Sequence, residues 1–189
     1  MQIRLATLDD ASACLAIYSH YIENTAVTFE ITVPRVAEFQ GRIDKILQFA
    51  PWLVCEEKGR VVGYAYAGRH RDREAYQWSV EASVYVAKGF QRMGIARKLY
   101  GALFAVLREQ GFVNAYAGIT LPNEASVKFH ESVGFRHLGT YSKIGYKAGA
   151  WCDVGWWELQ LSDRLLTPVS VKPLRELVVV LQSVLDKKF

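Results

Sequence analysis

The stretch from Ser79 to Gly111 constrains the fold more than any other part of the chain. It reads SVEASVYVAKGFQRMGIARKLYGALFAVLREQG, which is an apolar strand, a turn with glycine and basic residues, and a long run with helical spacing. A helix that begins directly after a turn has backbone N–H groups without partners in its first turn, and the positive end of its dipole lies behind them. The stretch therefore predicts a strand-turn-helix unit that can bind an anion.

Phosphate or pyrophosphate is the expected ligand of this turn. Gly94 lets the backbone approach a ligand closely, and Arg92, Arg97 and Lys98 add positive charge around it. The turn has neither the Gly-x-Gly start of a dinucleotide-binding fingerprint nor the Gly-Lys-Ser/Thr end of a Walker loop. Taken alone, these residues are equally consistent with an ordinary connection whose Arg and Lys side chains are solvated.

The rest of the chain alternates between strand and helix patterns, and its 189 residues favour one domain. The pattern first predicts a strand in QIRLA, a helix in ASACLAIYSHYIENT capped by Asp9 or Asp10, a helix in VPRVAEFQGRIDKILQF with Pro34 in its first turn, and a hairpin of WLVCEE and VVGYAYAGR. After Gly111 it predicts a strand in VNAYAGIT, a helix in NEASVKFHESV, and strands in FRHLGTYSKIGYK and VGWWELQL. This order predicts an α/β fold whose mixed sheet is antiparallel early and contains one parallel crossover.

The tail after Asp163 differs in character from the compact part of the chain. Two prolines, at positions 168 and 173, punctuate it, and one helical stripe then carries Leu174, Leu177, Leu181 and Val184. The pattern favours a helix, while the triple valine leaves a strand as an alternative.

Composition excludes several classes of function. The net charge of +4 is too small and too dispersed to indicate binding to nucleic acid. The three cysteines are far apart and show no metal-ligand spacing, so neither a disulfide framework nor a metal site is expected. There is no signal-like N-terminus and no apolar run of membrane-spanning length, which predicts a cytoplasmic protein without a membrane partner.

Two motifs in this chain resemble those of the GNAT superfamily of acyl-CoA-dependent N-acetyltransferases. QRMGIA, from Gln91 to Ala96, fits the Gln/Arg-x-x-Gly-x-Gly/Ala signature, and NEASVKFHESVGF is similar to the second motif. YQWSVEASVYV, GITLPNEASVKFHESVGF and GYKAGAWCDVGWWELQL resemble the phosphinothricin and methionine sulfoximine acetyltransferases, and this similarity runs from Ile3 to Leu161. The resemblance implies a GNAT fold in residues 1–162, with a mostly antiparallel central sheet flanked by helices. Residues 163–189 lie outside it, and their own pattern predicts a helical extension.

The resemblance also implies an acetyl-CoA site. Backbone groups of the strand would bind the pantetheine arm, the turn would hold the pyrophosphate, and the start of the helix in NEASVKFHESV would contact the pantetheine or nearby cofactor. The residues concerned are Val84, Tyr85 and Val86 in the strand, Gln91, Arg92, Met93, Gly94, Ile95 and Ala96 in the turn, and Asn123 and Ser126 in the helix motif.

Two residues are candidates for proton transfer. On a strand period of two, Glu81 shares a face with Ser83 and Tyr85, and the resemblance implies that it is the general base. The alternative is an ion pair with Arg71 or Arg73. His130 stands where many members of the superfamily have a tyrosine that protonates the thiolate, and simple packing of its ring against the cofactor is the alternative.

Substrate recognition is assigned to the irregular stretch GRHRDREAY and to the segment AVTFE. Arg73 would bind a carboxylate through its planar guanidinium, with Phe29 and Tyr76 as walls, although a solvated charged loop explains the arginines equally simply.

The expected function is transfer of acetyl from acetyl-CoA to the α-amine of a small amino-acid-like substrate such as phosphinothricin, methionine sulfoximine or methionine sulfone. Direct transfer is expected because no cysteine occupies a motif position, and the resemblance implies a homodimer. Two alternatives remain open: acetylation of a protein N-terminus or lysine, and a GNAT-fold module that binds acyl-CoA without turnover.

Overall fold

The computed structural model of the protein describes residues 1–185, without the side chains of residues 178–180. Seven strands and five α-helices follow one another along the described residues: β1 (Gln2–Leu5), α1 (Ala11–Asn24), α2 (Val36–Leu47), β2 (Trp52–Glu57), β3 (Arg60–Arg69), β4 (Ser79–Val86), α3 (Ile95–Gln110), β5 (Asn114–Leu121), α4 (Glu124–Ser132), β6 (Arg136–Lys147), β7 (Ala150–Gln160) and α5 (Val178–Leu185). Short 3-10 helices occupy Leu8–Asp10, Glu74–Tyr76 and Leu174–Leu177. No helix of this part of the chain has both the length and the apolar character needed to cross a membrane.

The strands form one mixed sheet in the order β1-β2-β3-β4-β5-β7-β6. Every neighbouring pair is antiparallel except β4 and β5, which α3 joins as a parallel crossover. This arrangement confirms the predicted α/β class, the early antiparallel strands and the single parallel connection.

The two faces of the sheet carry separate clusters of buried side chains. Val80, Ala82 and Val86 of β4 belong to the cluster that α3 covers, and α4 packs on the same side. The alternate residues of β4 face the other cluster, which α1 and α2 cover. The period-two alternation thus places Glu81 on the face of α1 and α2, as the sequence predicts.

Glycines and an extended residue determine where the helices begin and end. Gly94 and Gly111 flank α3 with left-handed φ values of 77° and 95°, and this confirms the predicted bounds of that helix. The prediction that Pro34 lies in the first turn of α2 is wrong. The helix begins at Val36, because Arg35 takes the extended conformation of an N-cap and its carbonyl accepts the first helical hydrogen bond, from Phe39.

The C-terminal extension contains a helical segment from Leu174 to Leu185, and the strand alternative for it is wrong. The predicted stripe of Leu174, Leu177, Leu181 and Val184 is buried around Val106 of α3. The first turn of this helical segment, Leu174–Leu177, is a 3-10 helix, and α5 continues it. The end of the predicted extension, residues 186–189, lies outside the described residues.

Hydrogen bonds also fasten the extension to the compact part of the chain. The Lys172 N–H donates to the Gln110 carbonyl at 2.8 Å, and the Gln110 side-chain amide donates to the Lys172 carbonyl at 3.0 Å. The Trp78 indole N–H donates to the Val169 carbonyl at 2.7 Å. The division into residues 1–162 and 163–189 stays a prediction.

Candidate active site

A gap opens between β4 and β5 immediately after Glu81. The two strands pair only from Ser79 to Glu81 with Asn114 to Tyr116, whereas β3 follows β4 to Val86 and β7 follows β5 to Leu121. We call the space between residues 82–86 and residues 117–121 the gap. It separates two parallel strands that end at the same edge of the sheet, where α3 and α4 begin.

The backbone of β4 offers hydrogen-bonding groups to the gap. The Ala82 carbonyl accepts from the Tyr100 hydroxyl at 3.3 Å, and the Val86 carbonyl accepts from the Tyr21 hydroxyl at 2.7 Å. These two carbonyls therefore point away from β3. Because backbone orientation alternates along a strand, Val84 between them points its N–H and C=O to the gap as well. The Tyr85 ring projects from the face of the sheet that α1 and α2 cover and packs among aromatic rings there. Its centroid is 5.3 Å from the centroid of the Tyr64 ring.

The turn from Gln91 to Ala96 fits an anionic group. No side chain caps the first turn of α3, so its N–H groups are available, and a Cβ atom built at Gly94 meets no heavy atom within 4 Å. Arg92 also has a left-handed φ, of 63°. Gln91, Arg92 and Met93 are exposed, whereas the Ile95 side chain is buried under the turn. The free N–H groups and the open space before them suit a pyrophosphate.

The β5 side of the gap ends at the start of α4. The Asn123 side-chain oxygen accepts from the Ser126 N–H at 3.2 Å, which confirms Asn123 as the helix cap. Arg97 joins the two helices, since its guanidinium donates to the Ser132 hydroxyl at 2.8 Å. The structure thus brings the predicted acetyl-CoA residues of β4, the turn and α4 to one end of the gap.

Glu81 lies at the point where β4 and β5 separate. Its cross-strand partners are Gly68 of β3 and Tyr116 of β5. Burial raises the pKa of the Glu81 carboxyl, and the positive charge of Arg71 lowers it to a smaller extent. No cation forms an ion pair with Glu81 in the part of the chain that the structure describes, so the ion-pair alternative finds no support.

His130 lies in a buried aromatic cluster between α3 and α4. Its Nδ1 is 2.8 Å from the Ser126 carbonyl, and its Nε2 is 3.1 Å from the Tyr100 hydroxyl. Phe129 and Phe135 contact the ring. Burial lowers the pKa of His130, which keeps the ring neutral. These contacts occupy both ring nitrogens, and the two predicted roles of His130, as an acid or as packing against the cofactor, stay predictions.

The predicted substrate residues lie on loops around the Glu81 face. The Phe29 ring lies directly over Gly145 of β6, where a Cβ atom would overlap it. The Lys147 ammonium donates to the Thr28 carbonyl at 2.7 Å and holds that loop on β6. Arg73 is the exposed N-cap of a short 3-10 helix, and Tyr76 is the exposed last residue of that helix. Arg73 has no ion pair among the described residues, and its substrate contact stays a prediction.

Sequence reasoning missed two cavities that flank Glu81 on this face. The first, of about 350 Å³, lies beneath α2 and includes Trp52, Tyr66 and Gly68 in its wall. The second, of about 330 Å³, lies on the β5 side, and its wall includes His70, Arg71, Tyr116 and Trp156. The strand alternation that orients Glu81 could have indicated Tyr66 and Gly68, because it places their side-chain positions on one face of β3.

Comparison with known proteins agrees with this geometry. A model of the GNAT acetyltransferase domain matches residues 3–156. A phosphinothricin N-acetyltransferase from Streptomyces viridochromogenes is 40% identical over 174 residues, which are 90% of this chain and 95% of the relative. An L-methionine sulfoximine/L-methionine sulfone acetyltransferase from Salmonella typhimurium is 36% identical over 86% of this chain and 96% of its own length.

The fold also matches solved structures. The crystal structure of a phosphinothricin acetyltransferase from Sinorhizobium meliloti, in complex with acetyl-CoA, superimposes with a TM-score of 0.85 and 31% identity. The match covers 89% of this chain and 92% of that one. The gap, the turn before α3 and these similarities lead to one conclusion: the chain belongs to the GNAT acetyltransferase family and is an acetyl-CoA-dependent N-acetyltransferase.

Proposed function

We propose that this enzyme acetylates the α-amine of a small amino-acid-like substrate of the phosphinothricin, methionine sulfoximine or methionine sulfone type, by direct transfer. The observation that carries the proposal is the half-buried Glu81 carboxyl at the point where the gap opens, which has no ion-pair partner among the described residues. The names of the relatives support this class of substrate.

Glu81 is the general base of the proposed reaction. An amino acid reaches the enzyme mainly as an ammonium ion, and the raised pKa of Glu81 makes its carboxylate a better proton acceptor than an exposed glutamate. The neutral amine then attacks the thioester carbonyl of acetyl-CoA. The Val84 N–H, which faces the gap, stabilises the negative charge that develops on the carbonyl oxygen. As the C–S bond breaks, the attacking nitrogen loses its second proton to solvent, and the leaving thiolate takes a proton from His130 or a water molecule.

Acetyl-CoA is held by the gap and by the turn that follows it. In the proposed arrangement, the backbone of Val84 and Val86 binds the pantetheine arm with Asn123 and Ser126 opposite. The N–H groups from Gly94 to Ala96 bind the pyrophosphate. This order places the thioester next to Glu81, because β4 runs from that residue directly to the turn.

We further propose that the enzyme is a cytoplasmic homodimer. The β6–β7 hairpin exposes more than half of each of five large apolar side chains: Leu138, Tyr141, Ile144, Tyr146 and Trp151. Several large exposed apolar side chains on one hairpin are consistent with a protein interface. The three cysteines are unpaired and buried, as in proteins of a reducing compartment.

The function is tested by detection of free CoA thiol with acetyl-CoA and a panel of acceptors. The panel contains L-amino acids, phosphinothricin, methionine sulfoximine, methionine sulfone, simple amines and a short peptide. We expect turnover with free amino acids that carry long polar side chains. Turnover of the peptide alone would indicate a protein acetyltransferase, and absence of turnover with every amino acid would contradict the proposal.

In the proposed site, Arg73 binds the α-carboxylate of the acceptor. Arg73→Ala should raise KM for amino acids by about tenfold to a hundredfold, because it removes charge-assisted hydrogen bonds of about 1.5–3 kcal/mol. Simple amines that lack a carboxylate serve as the control and should be unaffected. An equal loss with both kinds of acceptor would remove Arg73 from this role.

A further inference from the structure

Gly68 leaves open space beside Glu81. The two residues are direct cross-strand partners in β3 and β4, so their side-chain positions project from the same face of the sheet. A Cβ atom built at Gly68 meets no heavy atom within 4 Å. Any other residue at position 68 would place a side chain in this space next to Glu81.

The first cavity begins at this space and extends beneath α2. Its volume of about 350 Å³ lies within the range of ligand pockets. Gly68 and Tyr66 form its wall near β4, where Tyr66 is the cross-strand partner of Ser83. The wall is largely aromatic, and the Tyr66 ring stacks on Trp52 with centroids 4.3 Å apart. Gly68 therefore links the wall of the cavity to the position of the proposed base.

The charges around the cavity are not balanced. Arg42 is paired with Glu30 at 2.6 Å. In contrast, Lys45, Arg69 and Asp72 line the cavity without an ion-pair partner in the described part of the chain, and the Arg69 guanidinium lies over the Phe49 ring at 4.1 Å. Two cations against one carboxylate favour a ligand that ends in oxygen acceptors or a negative charge, and disfavour an ammonium group.

We propose that Gly68 determines acceptor specificity because it keeps open the passage from Glu81 to this cavity. The side chain of the acceptor enters the cavity through the passage while its amine stays at Glu81. The charges of the cavity then select α-amino acids whose side chains end in oxygen acceptors, such as a sulfone, a phosphinate or a carboxylate. This inference rests on the proposed function, since it assigns the side-chain subsite of the same reaction.

The test is to fill the passage in the full-length enzyme. Gly68→Ala and Gly68→Val add side chains to a strand position that has no left-handed φ and meets open space, so the fold should tolerate both. Gly139→Val is the matched control, because Gly139 lies in β6, lines the second cavity and also meets no atom within 4 Å. The acceptors are L-alanine, L-norvaline, L-lysine and L-methionine sulfone, and kcat/KM is measured for each.

The wild-type enzyme should prefer methionine sulfone to lysine. The ratio of kcat/KM for methionine sulfone to that for alanine should fall at least tenfold in Gly68→Val and by less in Gly68→Ala. In Gly139→Val the same ratio should not change. A matching shift in Arg69→Gln, with methionine sulfone losing more than norvaline, would identify the oxygen-binding end of the cavity.

Three outcomes would overturn this inference. The ratio could stay constant in Gly68→Val, all acceptors could lose activity by the same factor, or the ratio could change in Gly139→Val instead, which would assign the side chain to the second cavity. In each case the wild-type enzyme still acetylates amino acids, so the proposed function survives. A wild-type enzyme that acetylates no amino acid would contradict the proposed function itself.

Discussion

At the scale of single residues, Glu81 carries most of the proposed chemistry. Glu81→Gln removes the base without changing the shape of the side chain, and kcat/KM should fall by roughly tenfold to ten-thousandfold. Acetyl-CoA affinity, measured by calorimetry, should change little. Glu74→Gln, at an exposed position of the neighbouring 3-10 helix, is the control. Near-normal turnover in Glu81→Gln would exclude Glu81 as the base.

The same substitution should stabilise the protein. The pKa of Glu81 is higher in the folded state than in the unfolded state. The free energy of unfolding therefore falls as the pH rises from the unfolded-state pKa through the folded-state pKa. Glu81→Gln cannot ionise. Its melting temperature should exceed that of the wild type at neutral pH, and the difference should shrink as pH falls toward about 4.3, the ordinary pKa of glutamate.

Arg71 tunes the base through its charge. It lowers the raised pKa of Glu81 in part, so Arg71→Gln should raise that pKa further. The acid limb of the pH profile of kcat/KM should then move to higher pH. Because Arg71 is exposed, added salt should screen its charge and shift the wild-type limb in the same direction. A salt shift of equal size in Arg71→Gln would contradict this explanation.

At the scale of elements, the turn before α3 can be tested separately from the catalytic residues. Gly94→Val forces a β-branched residue to a φ of 77° and costs about 1–2 kcal/mol of backbone strain. It also places a side chain before the free N–H groups of the helix. We expect CoA affinity to fall at least tenfold because the added side chain blocks these N–H groups, whereas the backbone strain is present with or without CoA.

Gly59→Val provides the matched control for this turn. Gly59 has a φ of 75° in the β2–β3 turn, and a Cβ atom there meets no atom within 4 Å. The two variants should lose similar stability, while Gly59→Val keeps its CoA affinity. Unchanged CoA affinity in a folded Gly94→Val variant would show that the pyrophosphate binds elsewhere.

The elements that the sequence predicts best are those whose ends carry a local signal. The bounds of α3 follow from a glycine on each side. The start of β7 at Ala150, four residues before the predicted start, was missed because its first residues resemble a loop. The turn before it is a two-residue hairpin in which Ala148 and Gly149 both have positive φ, a turn that is favoured by the twist of the strands.

The surroundings of the site are less predictable than its elements, because they depend on contacts between distant parts of the chain. Strand alternation orients Glu81, but the space beside it exists only because the register of β3 brings Gly68 opposite. Likewise, the residues near His130 in sequence do not reveal that its ring bonds to Tyr100, which lies 30 residues earlier. The sequence predicts which residues are available, and the pairing of strands decides which of them meet.

At the scale of the whole molecule, we expect the C-terminal extension to support the fold rather than the reaction. Truncation after Asp163 would expose α3 around Val106 and leave the buried Gln110 side chain without its Lys172 partner. Burial of the four stripe residues contributes on the order of 6 kcal/mol before ordering costs. The melting temperature should therefore fall, while kcat of the folded fraction stays within a few-fold of the wild type.

Leu177→Ala gives a milder version of this experiment. It leaves the extension in place and should cost about 2–5 kcal/mol for the cavity that it creates. Its melting temperature should lie between those of the wild type and the truncated protein. A truncated protein that kept its melting temperature but lost its activity would show that the extension belongs to the active site.

The sheet is divided at the short pairing of β4 with β5. Strands β1 to β4 form one ladder and β5 to β7 another, and within the sheet only three residue pairs, from Ser79 to Glu81, join them. A pantetheine arm in the gap would form hydrogen bonds with both ladders and so join them beyond Glu81. Binding of the acetyl donor would thus complete the connection between the two ladders around Glu81, where the second substrate must react.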